Sequence, residues 1–370
     1  MTEKMLAAIA HKGEYKFRIE RIDVPRLDAG DALVKVEAVA ITRGVLAMWH
    51  YTDMIKLLPG VLGPAIAGLV AQVGSSVRSF QEGERVRVHA LLTCGQCDHC
   101  RRAQESLCRV QCTIGGALYG CAAMPTYERY HNGGMAQYVK VPSGSLHRIP
   151  DNVPFDLAAH VGTVAGSFGA LRTLKGMNGD VLVVTAASGA SGASAVRCAP
   201  LFGFTSVCGV STHREGLERL IGSEGLTDSI ATAELPSDWQ ERQLLTAALL
   251  DATDADGVDA VVDFMPFGRD VTVQSIRAMK PGGRAVLSGG NVSELNLTYL
   301  ELMRNQYQLK GIRGTTRRDE HEVLKLLAAE RLRVCDLQTH TFPLSEANRA
   351  LETVLGREGS PVFVVLKPWM

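Results

Sequence analysis

The sequence predicts an α/β protein of two domains: a mainly β first domain, and a second domain built on a doubly wound parallel sheet. The chain has 370 residues, about twice the usual domain length. Short β-like runs broken by glycine, such as Ala32–Val39 and Arg85–Ala90, fill the first part of the chain. Further along, strand-like and helical runs alternate, which is typical of a parallel sheet with helical crossovers.

The alternation begins with the apolar, β-branched run Val181–Thr185. Its apolar residues do not alternate with polar ones, so we predict a strand buried on both faces of the sheet. A helix over Ser191–Phe202 and a strand over Ser206–Val210 are predicted to follow.

The tail of the chain leaves this pattern, because its β-like runs Gln338–Phe342 and Pro361–Leu366 flank a single helix. We therefore predict a first domain over residues 1–160, a parallel-sheet domain over 161–310, and a return of 311–370 to the first domain.

Composition is that of an ordinary soluble protein. The chain has 39 basic residues (Lys plus Arg) and 39 acidic residues (Asp plus Glu), so its formal net charge is zero. This charge gives no reason to expect nucleic acid or an anionic membrane as partner. No apolar run approaches the roughly 18 residues of a membrane span. Residues Met1–Lys12 lack the apolar stretch of a signal peptide. The expected location is the cytoplasm.

Four of the nine cysteines, Cys94, Cys97, Cys100 and Cys108, lie within fifteen positions. In a reducing compartment such a cluster indicates metal binding rather than disulfides. Four thiolates would close a tetrahedral zinc site with no open position, so we predict one structural zinc in a lobe over residues 93–112. The alternative is four buried or reactive thiols.

A glycine-rich turn follows Val181–Thr185 and reads Ala187-x-Gly189-x-x-Gly192. With a strand before it and a helix after it, the turn has the context of a dinucleotide-binding fingerprint. We expect Gly189, Ala190, Ser191 and Gly192 to hold the cofactor's pyrophosphate at the helix N-terminus. The alternative is a plain tight turn.

The residues after the second strand bear on the choice of cofactor. An acidic residue that binds the ribose 2′-hydroxyl is expected about 20 residues beyond the turn in NAD-preferring proteins. Here the sequence reads Ser211, Thr212, His213, Arg214. Two hydroxyls and a guanidinium suit a 2′-phosphate, so NADPH is the predicted cofactor. The alternative is that Arg214 is a solvated helix residue.

These features, in this order, resemble the medium-chain dehydrogenase/reductase superfamily, and in particular its zinc-containing alcohol dehydrogenases. Further motifs carry the resemblance: Gly83-Glu84-Arg85-Val86, Gly134-Met135-Ala136-Gln137-Tyr138-Val139, Gly257–Asp263, Gly282-Gly283-Arg284 and Lys310-Gly311. The resemblance implies an oxidoreductase with a GroES-like substrate domain, a Rossmann domain and a cleft between them. It also implies a homodimer, or alternatively a tetramer.

The resemblance fails at the catalytic zinc. Zinc alcohol dehydrogenases hold this ion with three protein ligands, and the matching positions are Thr42, Pro64 and Gly162. None of the three offers a plausible ligand, and we expect no catalytic zinc. Rearranged ligation through His50, His160 or Cys121 is the alternative. The Ala187-Ser188-Gly189 turn is similar to that of metal-free quinone and enoyl reductases of the same superfamily.

Metal-free hydride transfer requires another way to stabilise negative charge on the acceptor. We expect NADPH-dependent reduction of a polarised double bond, foremost the C=C of an α,β-unsaturated carbonyl, with ketone or imine reduction as the alternative. The candidate catalytic residues are Thr42, His50 and Tyr51, with Tyr119 as a further candidate donor. The apolar stretch Trp49–Leu62 suits an apolar small-molecule substrate or, equally, core packing. A non-catalytic NADPH-binding protein is the remaining hypothesis.

Overall fold

The computed structural model describes residues 3–44, 46, 49, 53–221, 225–253, 256–356 and 362–370. The chain divides into two compact units. The first contains residues 1–162, 315–331 and 338–370, and the second contains 163–314 and 332–337. The first unit is therefore built from three separate parts of the chain.

Eighteen strands are present among the described residues. In chain order they are β1 Lys4–Ala10, β2 Arg18–Asp23, β3 Asp31–Ile41, β4 Gly60–Val61, β5 Ala65–Val73, β6 Arg85–Val88, β7 Leu91–Thr93, β8 Gln111–Thr113, β9 Tyr138–Pro142, β10 Leu146–Arg148, β11 Val181–Thr185, β12 Ser206–Ser211, β13 Asp228–Ala231, β14 Val258–Asp263, β15 Met279–Leu287, β16 Gln308–Gly311, β17 Gln338–Pro343 and β18 Phe363–Lys367.

Ten α-helices have both ends within the described residues. They are α1 Asp98–Arg101, α2 Met124–Tyr130, α3 Phe155–Leu174, α4 Ala190–Cys198, α5 Arg214–Glu218, α6 Leu244–Asp251, α7 Asp270–Arg277, α8 Tyr299–Asn305, α9 Arg317–Ala328 and α10 Ala347–Gly356. No helix in the described part of the chain is long and apolar enough to cross a membrane.

The first unit is mainly β. Its largest sheet has the order β10-β6-β5-β3-β18-β17, with β9 also pairing with β3. The long strand β3 is almost entirely buried and pairs antiparallel with β5, β9 and β18. The tail strands β17 and β18 thus belong to the sheet of the N-terminal segment, which explains why the tail does not continue the alternating pattern.

The second unit is a parallel six-stranded sheet with the order β13-β12-β11-β14-β15-β16. Counted from β11, this is the order 3-2-1-4-5-6 of a doubly wound nucleotide-binding fold. The leading strand β11 pairs with β12 on one side and β14 on the other. The strand order reverses beside β11, so the carboxyl end of this strand is the place where such folds bind ligands. This arrangement confirms the predicted fold class.

Candidate functional site

The four clustered cysteines converge on one point in the first unit. The Sγ atoms of Cys97 and Cys100 are 3.5 Å apart, those of Cys108 and Cys94 are 3.6 Å apart, and those of Cys94 and Cys100 are 3.9 Å apart. With metal–sulfur bonds of about 2.3 Å, a tetrahedral zinc site has sulfur–sulfur edges of about 3.8 Å. The observed separations match this value, so the donor set fits a tetrahedral, thiolate-bound metal ion.

Local backbone geometry presents these thiols. Strands β7 and β8 pair at the base of the lobe, and Gly95 has a φ of +70°, which turns the chain directly after Cys94. Backbone N–H groups of Gln96 and Cys97 donate to the Cys94 sulfur and lower its pKa to about 6. This loop therefore favours the thiolate that binds a metal.

The glycine-rich turn lies between β11 and α4, at the point where the strand order reverses. Gly189 is the N-cap residue of α4 in an extended conformation. A Cβ atom on Gly192 would lie 2.2 Å from the carbonyl oxygen of Ala186, so only glycine lets the first helical turn pack this closely on the preceding chain. The N-terminal amides of Ala190 and Ser191 begin the helix, where an anion such as pyrophosphate is favoured.

The three residues assigned to cofactor choice lie at the carboxyl end of β12. The hydroxyl groups of Ser211 and Ser188 hydrogen-bond each other, which ties β12 to the glycine-rich turn. Arg214 begins α5, and its guanidinium is already engaged. Its Nε atom donates to the Glu234 carboxylate at 3.0 Å, and its Nη1 atom donates to the Ser229 hydroxyl at 2.8 Å. The sequence pattern gave no indication of Glu234.

The positions that match the family's catalytic-zinc ligands also lie in the first unit. Thr42 directly follows β3, and Pro64 directly precedes β5. Because Ala40 pairs with Ala65, these two residues lie at the same end of the sheet. Gly162 lies in α3. Of the other predicted catalytic residues, His50 and Tyr51 fall outside the described residues.

The apolar stretch Trp49–Leu62 packs into the core where it is described. Trp49 is buried and stacks on Phe17, with ring centroids 4.9 Å apart. Ile55 and Leu62 are also buried in the core of the first unit. These contacts favour the core-packing interpretation for the buried residues of the stretch.

A buried polar cluster beside Gly162 was missed by sequence reasoning. Arg87 of β6 forms an ion pair with Glu320 of α9, and both side chains are at most 2% exposed. His89 contacts the same carboxylate through Nδ1 at 2.7 Å, and His147 lies 3.6 Å from it through Nε2. A Cβ atom on Gly162 would lie 3.5 Å from Arg87 Nη2.

The charges of this cluster are balanced. Burial alone would raise the pKa of Glu320, but the nearby Arg87 and His89 outweigh it and lower that pKa to about 2. Burial lowers the pKa of His147 to about 4, so its imidazole is neutral at pH 7. Two histidines and a carboxylate can bind a metal, but a cation here would face the guanidinium of Arg87 in a low-dielectric setting. We therefore assign the cluster as a buried ion pair flanked by two imidazoles.

Comparisons with known proteins agree with this architecture. Residues 28–151 match the family model described as "Alcohol dehydrogenase GroES-like domain", and residues 190–329 match the one described as "Zinc-binding dehydrogenase". The L-threonine 3-dehydrogenase of Bacillus licheniformis is 27% identical over the full length of both chains.

Two solved structures share the fold. An NAD-dependent alcohol dehydrogenase has a TM-score of 0.83 at 23% identity, with 98% of this chain and 99% of that one covered. A putative zinc-binding dehydrogenase from Sinorhizobium meliloti, bound to NADP, has a TM-score of 0.85 at 21% identity, with 99% and 100% covered. The two family models together span most of the chain, and its relatives match it end to end. The chain therefore belongs to the zinc-containing medium-chain dehydrogenase/reductase superfamily and is an oxidoreductase.

Proposed function

We propose that this oxidoreductase transfers hydride from NADPH to a polarised double bond without a catalytic zinc, and that the acceptor is the C=C of an α,β-unsaturated carbonyl. The observation that carries the proposal is the set of residues at the three ligand positions. Thr42 supplies only a weakly acidic hydroxyl, and Pro64 and Gly162 supply no side-chain donor. Three protein ligands are the usual minimum for a catalytic zinc.

A ligating side chain at position 162 would lie beside a buried pair of charged side chains. Arg87 and Glu320 lie directly beside this position, and a metal there would meet a buried guanidinium. The neighbourhood of Gly162 is thus built around an ion pair between protein side chains. This environment supports the proposal that the site has diverged from metal binding at neighbouring residues as well as at the three ligand positions.

We assign the metal of this protein to the four-cysteine lobe. Cys94, Cys97, Cys100 and Cys108 would supply all four bonds of a zinc ion, so no position would remain for water or substrate. Zinc bound there would stabilise the fold of the lobe. The proposed chemistry takes no step through it.

The proposed cofactor site is the carboxyl edge of the parallel sheet. When bound, NADPH supplies the hydride. The amides at the start of α4 would bind its pyrophosphate, and Ser211, Thr212 and Arg214 lie at the carboxyl end of β12, where the adenine ribose would be recognised in this fold. The absence of an acidic residue at position 211 favours the phosphorylated cofactor.

An enone suits such a site because hydride addition at its β-carbon spreads negative charge onto the carbonyl oxygen. A hydrogen-bond donor then suffices where an isolated ketone would call for a stronger electrophile. Thr42 is the proposed donor that orients the carbonyl, with His50 or Tyr51 as the proposed source of the proton.

The test uses NADPH that carries deuterium at the transferred position, with an enone as acceptor. The proposal predicts deuterium on the β-carbon of a saturated ketone. Deuterium on the carbinol carbon would instead identify carbonyl reduction, the second candidate function. The names of the relatives favour that candidate, since they are alcohol and threonine dehydrogenases. If removal of zinc from outside the cysteine lobe abolished all turnover, both metal-free candidates, C=C reduction and carbonyl reduction, would be overturned.

A further inference from the structure

The ion pair between Arg214 and Glu234 lies where the proposed cofactor's 2′-phosphate would bind. Two nitrogens of the guanidinium, Nε and Nη2, donate to the Glu234 carboxylate. A guanidinium binds phosphate through the same paired donors. The carboxylate therefore occupies the part of Arg214 that a phosphate would use.

The backbone fixes Glu234 beside the cofactor-recognition segment. Strand β13 pairs with β12, with Ala231 opposite Ser211. Beyond this pair, the N–H of Ala233 donates to the carbonyl of Thr212 at 2.9 Å. Glu234 follows immediately, at the end of a 3₁₀ turn. Its position beside Arg214 is thus set by sheet pairing and a backbone hydrogen bond, and does not depend on the ion pair alone.

Charge reinforces the competition. Glu234 is about half exposed and Arg214 about one third exposed. The Arg214 hydrogen bond lowers the pKa of Glu234, so the carboxylate is ionised at neutral pH. A phosphate approaching Arg214 would meet this negative charge as well as the positive one. NADH, which has no 2′-phosphate, would meet no such repulsion.

We propose that Glu234 determines the degree of cofactor selectivity, because it holds Arg214 in an ion pair that the 2′-phosphate must displace. This inference rests on the proposed binding of NADPH at this site. It predicts that the protein prefers NADPH over NADH less strongly than it would if Arg214 had no ion pair with Glu234.

The experiment compares dissociation constants of NADPH and NADH in the full-length protein and in three variants: Glu234→Gln, Arg214→Ala and the double variant. Exposed ion pairs contribute up to about 1 kcal/mol. We therefore expect Glu234→Gln to tighten NADPH binding about threefold to fivefold and to leave NADH binding within about twofold. Arg214→Ala should weaken NADPH, and in that background Glu234→Gln should lose most of its effect. The fragments 2′,5′-ADP and 5′-AMP should reproduce the same differences.

Asp256→Asn is the matched control. Asp256 forms an exposed ion pair with Lys280 at 2.8 Å, and it precedes β14, so it lies at the amino edge of the same parallel sheet. Removal of its charge should change neither dissociation constant.

The outcomes separate the two proposals. If Arg214→Ala weakens NADPH but Glu234→Gln does not tighten it, the role of Glu234 is wrong and the cofactor proposal stands. If NADPH binds no tighter than NADH and Arg214→Ala changes neither, the cofactor proposal itself fails. If Glu234→Gln weakens NADH, Glu234 binds the ribose hydroxyls and the inference is overturned.

Discussion

The buried ion pair between Arg87 and Glu320 gives the sharpest test of the first unit's architecture. Replacing Glu320 by Gln keeps the shape of the side chain and removes its charge. The guanidinium of Arg87, about 2% exposed, would then be buried without a counter-charge, and His89 would lose the carboxylate 2.7 Å from its Nδ1. Breaking a buried pair in this way costs about 3–5 kcal/mol.

Hydrogen exchange is the appropriate assay, because a two-domain protein need not unfold in a single transition. Amides of β6 and α9 should lose at least about a hundredfold in protection, since each 1.4 kcal/mol is a factor of ten. Glu346→Gln serves as the control, because its ion pair with Arg349 is exposed and should contribute at most about 1 kcal/mol. If Glu320→Gln lowered the free energy of opening of these amides by less than about 1 kcal/mol, the assignment of a buried, charge-balanced pair would be refuted.

Burial lowers the pKa of His147 to about 4 and that of His160 to about 3, so the unfolded chain binds these protons at a higher pH than the folded one. Denaturation titrations should therefore show the free energy of unfolding falling from pH 6.5 towards pH 4, by about 2 kcal/mol per histidine at pH 5. His160→Asn should reduce this slope, and a flat pH profile in the unmodified protein would contradict the prediction. Cys100→Ser should release zinc and raise protease cleavage within residues 93–112, with Cys121→Ser as the control; unchanged zinc content would count against the lobe as the metal site. Strand β16 is at the edge of its sheet and follows α8 in the chain, whose Tyr299 and Leu300 are 82% and 61% exposed. We expect a homodimer through this edge, and Leu300→Glu should dissociate the dimer in sedimentation measurements. A monomeric unmodified protein would exclude this interface.

The second unit was predictable because its signals are local. The strand prediction Val181–Thr185 coincides with β11. The predicted helix Ser191–Phe202 is α4, continued by a 3₁₀ turn over Ala199–Phe202. An apolar run, a glycine turn and an amphipathic helix each express their structure within a few residues.

The buried ion pair was not predictable, because its partners are far apart in the chain. In β6 and the residues after it, Arg87 and His89 alternate with valine, which indicates a polar face open to solvent. That face is instead covered by α9, whose Glu320 lies 231 residues beyond His89. Similarly, the pattern at Arg214 indicates a free guanidinium, and only the pairing of β12 with β13 brings Glu234 to it.

We propose that the protein holds a zinc ion in its cysteine lobe and works without a catalytic one. Metal analysis of an active preparation tests it most directly, with zinc content and turnover measured on the same sample before and after mild chelation. We predict about one zinc per chain, lost in a Cys100→Ser variant, and turnover that persists when loosely bound metal is removed. A content of about two zinc ions per chain would contradict this proposal if chelation removed the second ion together with activity and zinc addition restored both.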